Sequence, residues 1–405
     1  MQQLPSNYRQ TDWGKHDFRP KLTLRRLHEE PIDAVGRIAG DIGPRRATSL
    51  AEAQAAAYLD GRLRRAGMRV SPDTFSAPAT VGWDGVILAT FAFIGTALYY
   101  WFPLPSLALA LWVLALACWR ITRPKAPLLA PRRDSQNIIG TRAVSGNPRW
   151  RVVVLAPLDS PLLKGRVLRR LTEGWRPLVG RLIACGALVV FAGLGLIDPR
   201  AIWWYAQFLP LAYLLLMAVI DGLLMRASAS PGAVSHAGAV AVLLSSAESL
   251  VNVEHVELWT VGIGASSSGA GLLDLLRRYP FERQNTLFVS LEGLGSGRLV
   301  YITREGRLRE QSADALLLRL VAAADAADPL VDVEPRPYLG GSTMASVLHR
   351  DGWRALTIMC LDADGTVPLQ GTPQDTLEAA DGEVLNRAAR LVTGLVQQID
   401  QSDGR

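Results

Sequence analysis

Cysteine is scarce in this chain: 405 residues carry three, Cys118, Cys185 and Cys360. They lie far apart, and two sit inside strongly apolar runs, so neither a disulfide framework nor a zinc-finger spacing can be built from them. An excess of one charge is also lacking. The 43 Lys and Arg against 37 Asp and Glu leave a net charge of only +6, almost all of the basic residues being Arg. They form no obvious patch and match no DNA- or RNA-binding signature, so nucleic acid is not an expected partner. The opening stretch, MQQLPSNYRQTDWGKHDFRP, lacks the apolar centre of a signal peptide and predicts no export of a cleaved chain. Residues 1–44 read as a loosely ordered tail with a first helix.

Charge is missing altogether from residues 85–119, GVILATFAFIGTALYYWFPLPSLALALWVLALACW, which break once, at Pro103 and Pro105. A bilayer crossing takes about 20 apolar residues, with a usable range of about 17–25. Each half sits near the lower limit, which predicts a tight helical hairpin. A second pair follows, residues 178–197 and 201–225, joined by Asp198, Pro199 and Arg200. Arg181 and Asp221 fall near the ends that face the rest of the chain, where a long side chain can snorkel or a helix can begin. Tyr99, Tyr100 and Trp101, and Trp203, Trp204 and Tyr205, flank the two tips as an interfacial belt would. Four such runs in two pairs predict four membrane helices.

Basic residues then set the orientation. The tips hold only Arg200, whereas the other side holds Arg120, Arg123, Lys125, Arg132, Arg133, Lys164, Arg166, Arg169, Arg170, Arg176 and Arg226. Positive residues stay in the cytoplasm, which predicts a protein of the cell inner membrane with its termini and soluble part inside. Residues 162–176, LLKGRVLRRLTEGWR, read either as a basic amphipathic helix on the anionic inner leaflet or as a solvated connector.

Without the hairpins the pattern alternates. A helix at 48–67 precedes a short strand near Met68–Pro78, and SQNIIGTR and RWRVVVLAPLDS read as strands, the second apolar enough for a sheet covered on both faces. A helix at 236–251, the strand VELWTVGIG, a helix at 267–279 and the strands TLFVSLEGLG and LVYITREG follow. A helix at 310–327, the strand WRALTIMCL, a loop through Asp375 and a helix at 380–399 complete the chain. This predicts an α/β fold, a mixed and mostly parallel sheet sandwiched by helices, with four transmembrane helices inserted. The soluble domain would run through 45–84, 120–177 and 227–405, interrupted by hairpins at 85–119 and 178–226.

The order of segments resembles the di-zinc exopeptidases of the aminopeptidase, glutamate carboxypeptidase and transferrin receptor type. The opening helix and strand are similar, and QNIIGTR resembles a strand of that family. RVVVLAPLDS stands where the family has a strand ending A-H-Y-D-S, and PGAVSHAGAVAVLL where it has G-A-D-D-N-A-S-G-V-A. GIGASSSGAG lies at G-A-E-E-x-G, LEGLGSG at L-D-M-V-G, and QGTPQDTLE at Y-H-T-P-x-D-T.

By that resemblance Ser266 and Ser267 occupy the places of a glutamate general base and a glutamate ligand. Pro157 replaces a histidine ligand, Val234 and Ser235 the two aspartates that supply the bridging carboxylate, and Gly371 the final histidine. Glu292 remains at a ligand position, and Asp159 remains as the companion of the lost histidine. A zinc pair needs carboxylate or imidazole donors and a bridging carboxylate to offset cation repulsion, which hydroxyls, proline, valine and glycine do not supply. The resemblance therefore implies no metal cofactor and no catalytic residues. Each remaining polar residue also has an ordinary use: Asp159 and Asp375 as caps of turns, His236 as a helix-start residue, Glu292 as a buried acid that finds a donor or is protonated. No serine of GASSSGAG has the G-x-S-x-G spacing of a nucleophile elbow.

The expectation is a non-catalytic binding or scaffolding protein of the membrane, with the lipid bilayer and either another membrane protein or a peptide as partners. A membrane-tethered metallo-aminopeptidase with non-standard ligands and a structural subunit of a membrane complex are the competing readings.

Overall fold

The apolar strand predicted at RWRVVVLAP lies at the centre of the molecule. The computed structural model describes residues 29–122, 130–142, 148–172, 174–306 and 310–402. The predicted tail and Arg123 and Lys125 fall outside them, apart from the last residues of the tail. Among the described residues nine strands form one sheet: β1 Arg69–Pro78, β2 Arg132–Arg142, β3 Trp150–Pro157, β4 Val256–Ile263, β5 Thr286–Leu291, β6 Arg298–Glu305, β7 Gln311–Ser312, β8 Glu334–Tyr338 and β9 Arg354–Leu361. Their order is β1-β2-β4-β3-β5-β9-β6-β7, with β8 also on β6. The central four, β4, β3, β5 and β9, are parallel, with Val152 of β3 beside Leu258 of β4 and Leu287 of β5. Antiparallel pairs β1/β2, β2/β4 and β6/β9 extend the sheet to either side.

Both faces are covered, as the unbroken apolar strands require. Val152, Val154, Leu258, Leu287 and Ile358 pack on one face with the helices Leu50–Arg65, Gly238–Ser249 and Gly382–Gln401. Val153, Leu155, Val261 and Phe288 pack on the other with Ala270–Arg278 and Met344–Arg350. Side-chain caps fix several helix starts: Ser49 accepts the Glu52 N–H, and Asp381 those of Glu383 and Val384.

Some boundaries differ from the sequence pattern. The helix expected from 310 begins at Ala315, because Asp314 caps the N–H groups of Leu316 and Leu317 while Gln311–Ser312 pairs with β6. The helix expected at 267 begins at Ala270, since Ser266–Ser268 form a separate tight turn ended by Gly269 at φ 69°. Residues Ala233–Ala237 form a wide π-type turn before Gly238–Ser249. Strand β8 was not legible: Pro335 and Pro337 argue against a strand and are tolerated because β8 lies at the edge of the sheet.

Four apolar helices form a bundle: Trp83–Leu98, Pro103–Thr122, Arg176–Ile197 and Ile202–Arg226. The first packs on the second and fourth, and the third on the second and fourth. Leu88, Ala92, Val113, Cys185, Leu188 and Leu214 fill the centre. Three of the helices are long and apolar enough to cross a membrane, where the sequence pattern predicts four. The exception is Trp83–Leu98, with 16 residues. At ~1.5 Å per residue it falls short of a hydrocarbon core ~30 Å thick. Its length is set by Gly82, at φ 108°, and by the turn that leads into Pro103. Arg181 and Asp221 do not stand alone at their helix ends: they pair at 2.8 Å. Asp84 and Arg120 pair at the same end of the bundle.

Chain direction places the site. Four residues separate the end of strand β1 at Pro78 from Trp83, so it runs toward the bundle. Because β2 is antiparallel to both β1 and β4, and β3, β5 and β9 are parallel to β4, the carboxyl ends of all four central strands point the same way.

Candidate functional site

In parallel sheets, ligand sites form beyond the carboxyl ends of the strands. Here β3 ends at Pro157, aligned with Ile263 of β4, and the chain turns inward at Asp159. Asp159 is fully buried. One carboxylate oxygen accepts the Ser266 N–H at 3.0 Å and the Ser266 hydroxyl; the other accepts the Ser267 N–H at 3.1 Å. The serine turn is thus the donor set that solvates a buried carboxylate from the next strand. Asp159 does not cap its own turn; it caps the turn after β4.

His236 Nδ1 donates to the Asp159 carbonyl at 2.5 Å. Burial pushes its pKa below the ordinary value, against the pull of Asp159, so the ring is neutral at pH 7. Asp375 does the matching work for the wide turn. It accepts the N–H groups of Val234 at 2.7 Å and Ser235 at 3.3 Å and the Ser235 hydroxyl at 2.5 Å. The Ser235 hydroxyl, where the resemblance puts a bridging ligand, therefore points into a protein hydrogen bond.

Glu292 follows β5. Its Oε1 accepts the Ser290 hydroxyl at 2.8 Å and the Met344 N–H at 2.6 Å. Burial raises its pKa to about 7, despite both donors. Gly371 has φ +67°, and a Cβ there would meet the Leu162 carbonyl oxygen at 2.7 Å. The cause is the stalk of the second hairpin: Leu162 bridges to Ala229, and the Lys164 N–H donates to the Gly371 carbonyl at 2.8 Å. The connection that leads into the second hairpin thus lies against the place where the resemblance puts the final histidine.

Two functional residues escaped the sequence reading. Arg45 is fully buried, and its guanidinium donates to the carbonyls of Leu158, Ile38, Gly43, Pro231 and Gly232 at 2.8–3.4 Å. Burial lowers its pKa to about 10, while Asp159 and Asp375 pull it up. It is the cation that balances the two buried aspartates. No local pattern marks Arg45. Glu52 did carry a signal, since Ser49-x-x-Glu52 is a capping box. Its carboxylate reaches further than that motif, accepting the N–H groups of Thr48 at 2.7 Å and Ala265 at 2.6 Å and the Ser135 hydroxyl at 3.0 Å. Burial, then the charge of Asp159, raises its pKa to about 7.

The set does not fit a zinc pair. Pro157, Val234 and Gly371 offer no side-chain donor, and the Ser235 and Ser266 hydroxyls are already committed to Asp375 and Asp159. Among the described residues no three His, Cys, Asp or Glu side chains are grouped to hold a metal ion.

Neither protein-family models nor the sequences of curated proteins match this chain. Solved structures do. The zinc aminopeptidase BSAP from Bacillus subtilis superposes with a TM-score of 0.56 at 15% identity, covering 93% of this chain and 96% of that one. The aminopeptidase from Aneurinibacillus sp. strain AM-1 gives 0.53 at 15% identity, with 91% and 92% covered. The glutaminyl cyclase of Porphyromonas gingivalis gives 0.53 at 12%, with 91% and 97% covered. The fold is therefore that of the zinc exopeptidases, in a chain that also carries candidate membrane helices. Since aminopeptidases and a cyclase share it, the fold alone selects no activity.

Proposed function

We propose that this is a multi-pass protein of the cell inner membrane whose exopeptidase-like domain, on the cytoplasmic side, is non-catalytic and acts as a binding or scaffolding unit. The observation that carries the reading is Gly371. A side chain there meets the stalk of the second hairpin, so the membrane connection occupies a place that catalysis by the family mechanism needs. The carboxylates left nearby support it, since Asp159 and Asp375 are held by backbone N–H groups and serine hydroxyls. Without a Lewis acid, an activated water and a glutamate base, that mechanism has none of its parts. The bilayer is one partner; another membrane protein or a peptide is the other.

The purified full-length protein should not hydrolyse aminoacyl anilides, with or without added zinc. Reporters fused after Leu104 or Pro199 should read as external, and one after Arg405 as internal. Zinc-dependent hydrolysis would defeat the non-catalytic reading, and an internal reading at both tips would reverse the orientation.

A further inference from the structure

Resting on the reading of the apolar helices as membrane spans, we infer that the helix Arg166–Thr172 lies flat on the bilayer beneath the site, with Val167 and Leu171 in the acyl boundary of an anionic membrane. The helix has seven residues, and the span Arg176–Ile197 begins four positions after its last residue. Val167 and Leu171 stand four residues apart on one face of that helix, and Trp175 follows at the start of the span, beyond Gly174 at φ 85°. The three are 72%, 42% and 52% exposed, apolar side chains that the protein itself leaves uncovered. The Arg176 guanidinium lies 5.9 Å from the Trp175 ring, so a charged head and an amphipathic ring share one level at the start of the span.

Two further facts name the occupant. The helix is followed within four positions by one that enters the bilayer, so the surface beside it is lipid. It also belongs to the end of the sheet from which the connections to the bundle emerge, with Lys164 bonded to Gly371 over the site. An exposed apolar stripe flanked by Lys and Arg at that level has the composition of an interfacial helix, and each basic residue near an anionic surface contributes about 1 kcal/mol, or about fivefold in occupancy.

The test uses the full chain in lipid nanodiscs. In a Cys118→Ser background, with Cys185 and Cys360 buried, nitroxides are placed by Val167→Cys, Leu171→Cys, Ile183→Cys or Leu330→Cys. Each is probed with oxygen and with a water-soluble nickel chelate. In discs containing phosphatidylglycerol, labels at 167 and 171 should be shielded from nickel and open to oxygen. In pure phosphatidylcholine, their nickel access should rise about fivefold for each basic residue engaged. Leu330→Cys, remote and 65% exposed, should report water in both.

Labels at 167 and 171 as open to nickel as Leu330→Cys, or equally shielded in both lipids, would overturn the inference. The label at 183, on the lipid-facing side of the span, separates the two failures: in lipid, only this inference falls; in water, the reading of the spans falls with it.

Discussion

Charged groups in two regions of this protein, the bundle and the carboxyl ends of the strands, are satisfied in opposite ways. In the bundle they pair one to one: Arg181 with Asp221 at 2.8 Å, and Arg120 with Asp84. Beneath the carboxyl ends of the strands, carboxylates outnumber cations, and most of their bonds come from backbone N–H groups and hydroxyls. Arg45 is the cation that Asp159 and Asp375 act on. A pair can be deleted together and replaced by apolar side chains. A network of turns capped by carboxylates cannot, because each carboxylate holds a backbone that has no other partner.

The largest effect should come from Arg45→Met. It removes a buried cation together with the donors to five carbonyls, and breaking such a group costs about 3–5 kcal/mol. Thermal unfolding in detergent should show a large loss, or the variant should not accumulate. The bundle should behave differently. Arg181→Leu or Asp221→Leu alone strands a charge and should cost about 2 kcal/mol, between the values for exposed and buried pairs. The double replacement should recover most of that loss; additive losses would mean that the bundle pair is not interchangeable with apolar packing.

Gly371→His should have an intermediate effect at the site itself. The position requires φ +67° and has the Leu162 carbonyl against it. A left-handed non-glycine residue costs about 1–3 kcal/mol, so introducing the histidine that the resemblance implies there should destabilise the fold without bringing in zinc. Unchanged stability would show that the stalk yields. The smallest effect is in pH dependence. Glu292 and Glu52 have pKa values raised to about 7, above the ordinary 4.5. The folded state therefore binds more protons than the unfolded chain, and stability present at low pH is lost as pH rises from about 4.5 through about 7. The slope is at most about 1.4 kcal/mol per pH unit for each group. Glu292→Gln keeps an acceptor for Ser290 and Met344 and should flatten this profile; a profile identical to that of the parent protein would remove Glu292 from it.

Local pattern was enough for the central strands, since eight successive residues such as WRVVVLAP have no other low-energy place than a sheet covered on both faces. It was enough for the four helices of the bundle, though not for the length of the first, which depends on a left-handed glycine at its start. At the site, sequence order brought Asp159, Ser266 and Ser267 near one another but gave them separate uses. The structure joins them into a carboxylate with its donors. Arg45 stayed invisible because its environment is assembled from segments as distant as Ile38 and Gly232. The obstruction at Gly371 was invisible for the same reason: it arises from a stalk more than two hundred residues away in the chain.

Metal content separates a zinc-free exopeptidase-like domain from a zinc enzyme. The full-length protein, purified in detergent, is incubated with zinc, passed through gel filtration and analysed for metal against protein. Zinc should be substoichiometric, the same for Asp159→Asn as for the parent protein. One or two zinc ions per chain, released by a chelator and lost in Asp159→Asn or Glu292→Gln, would contradict it.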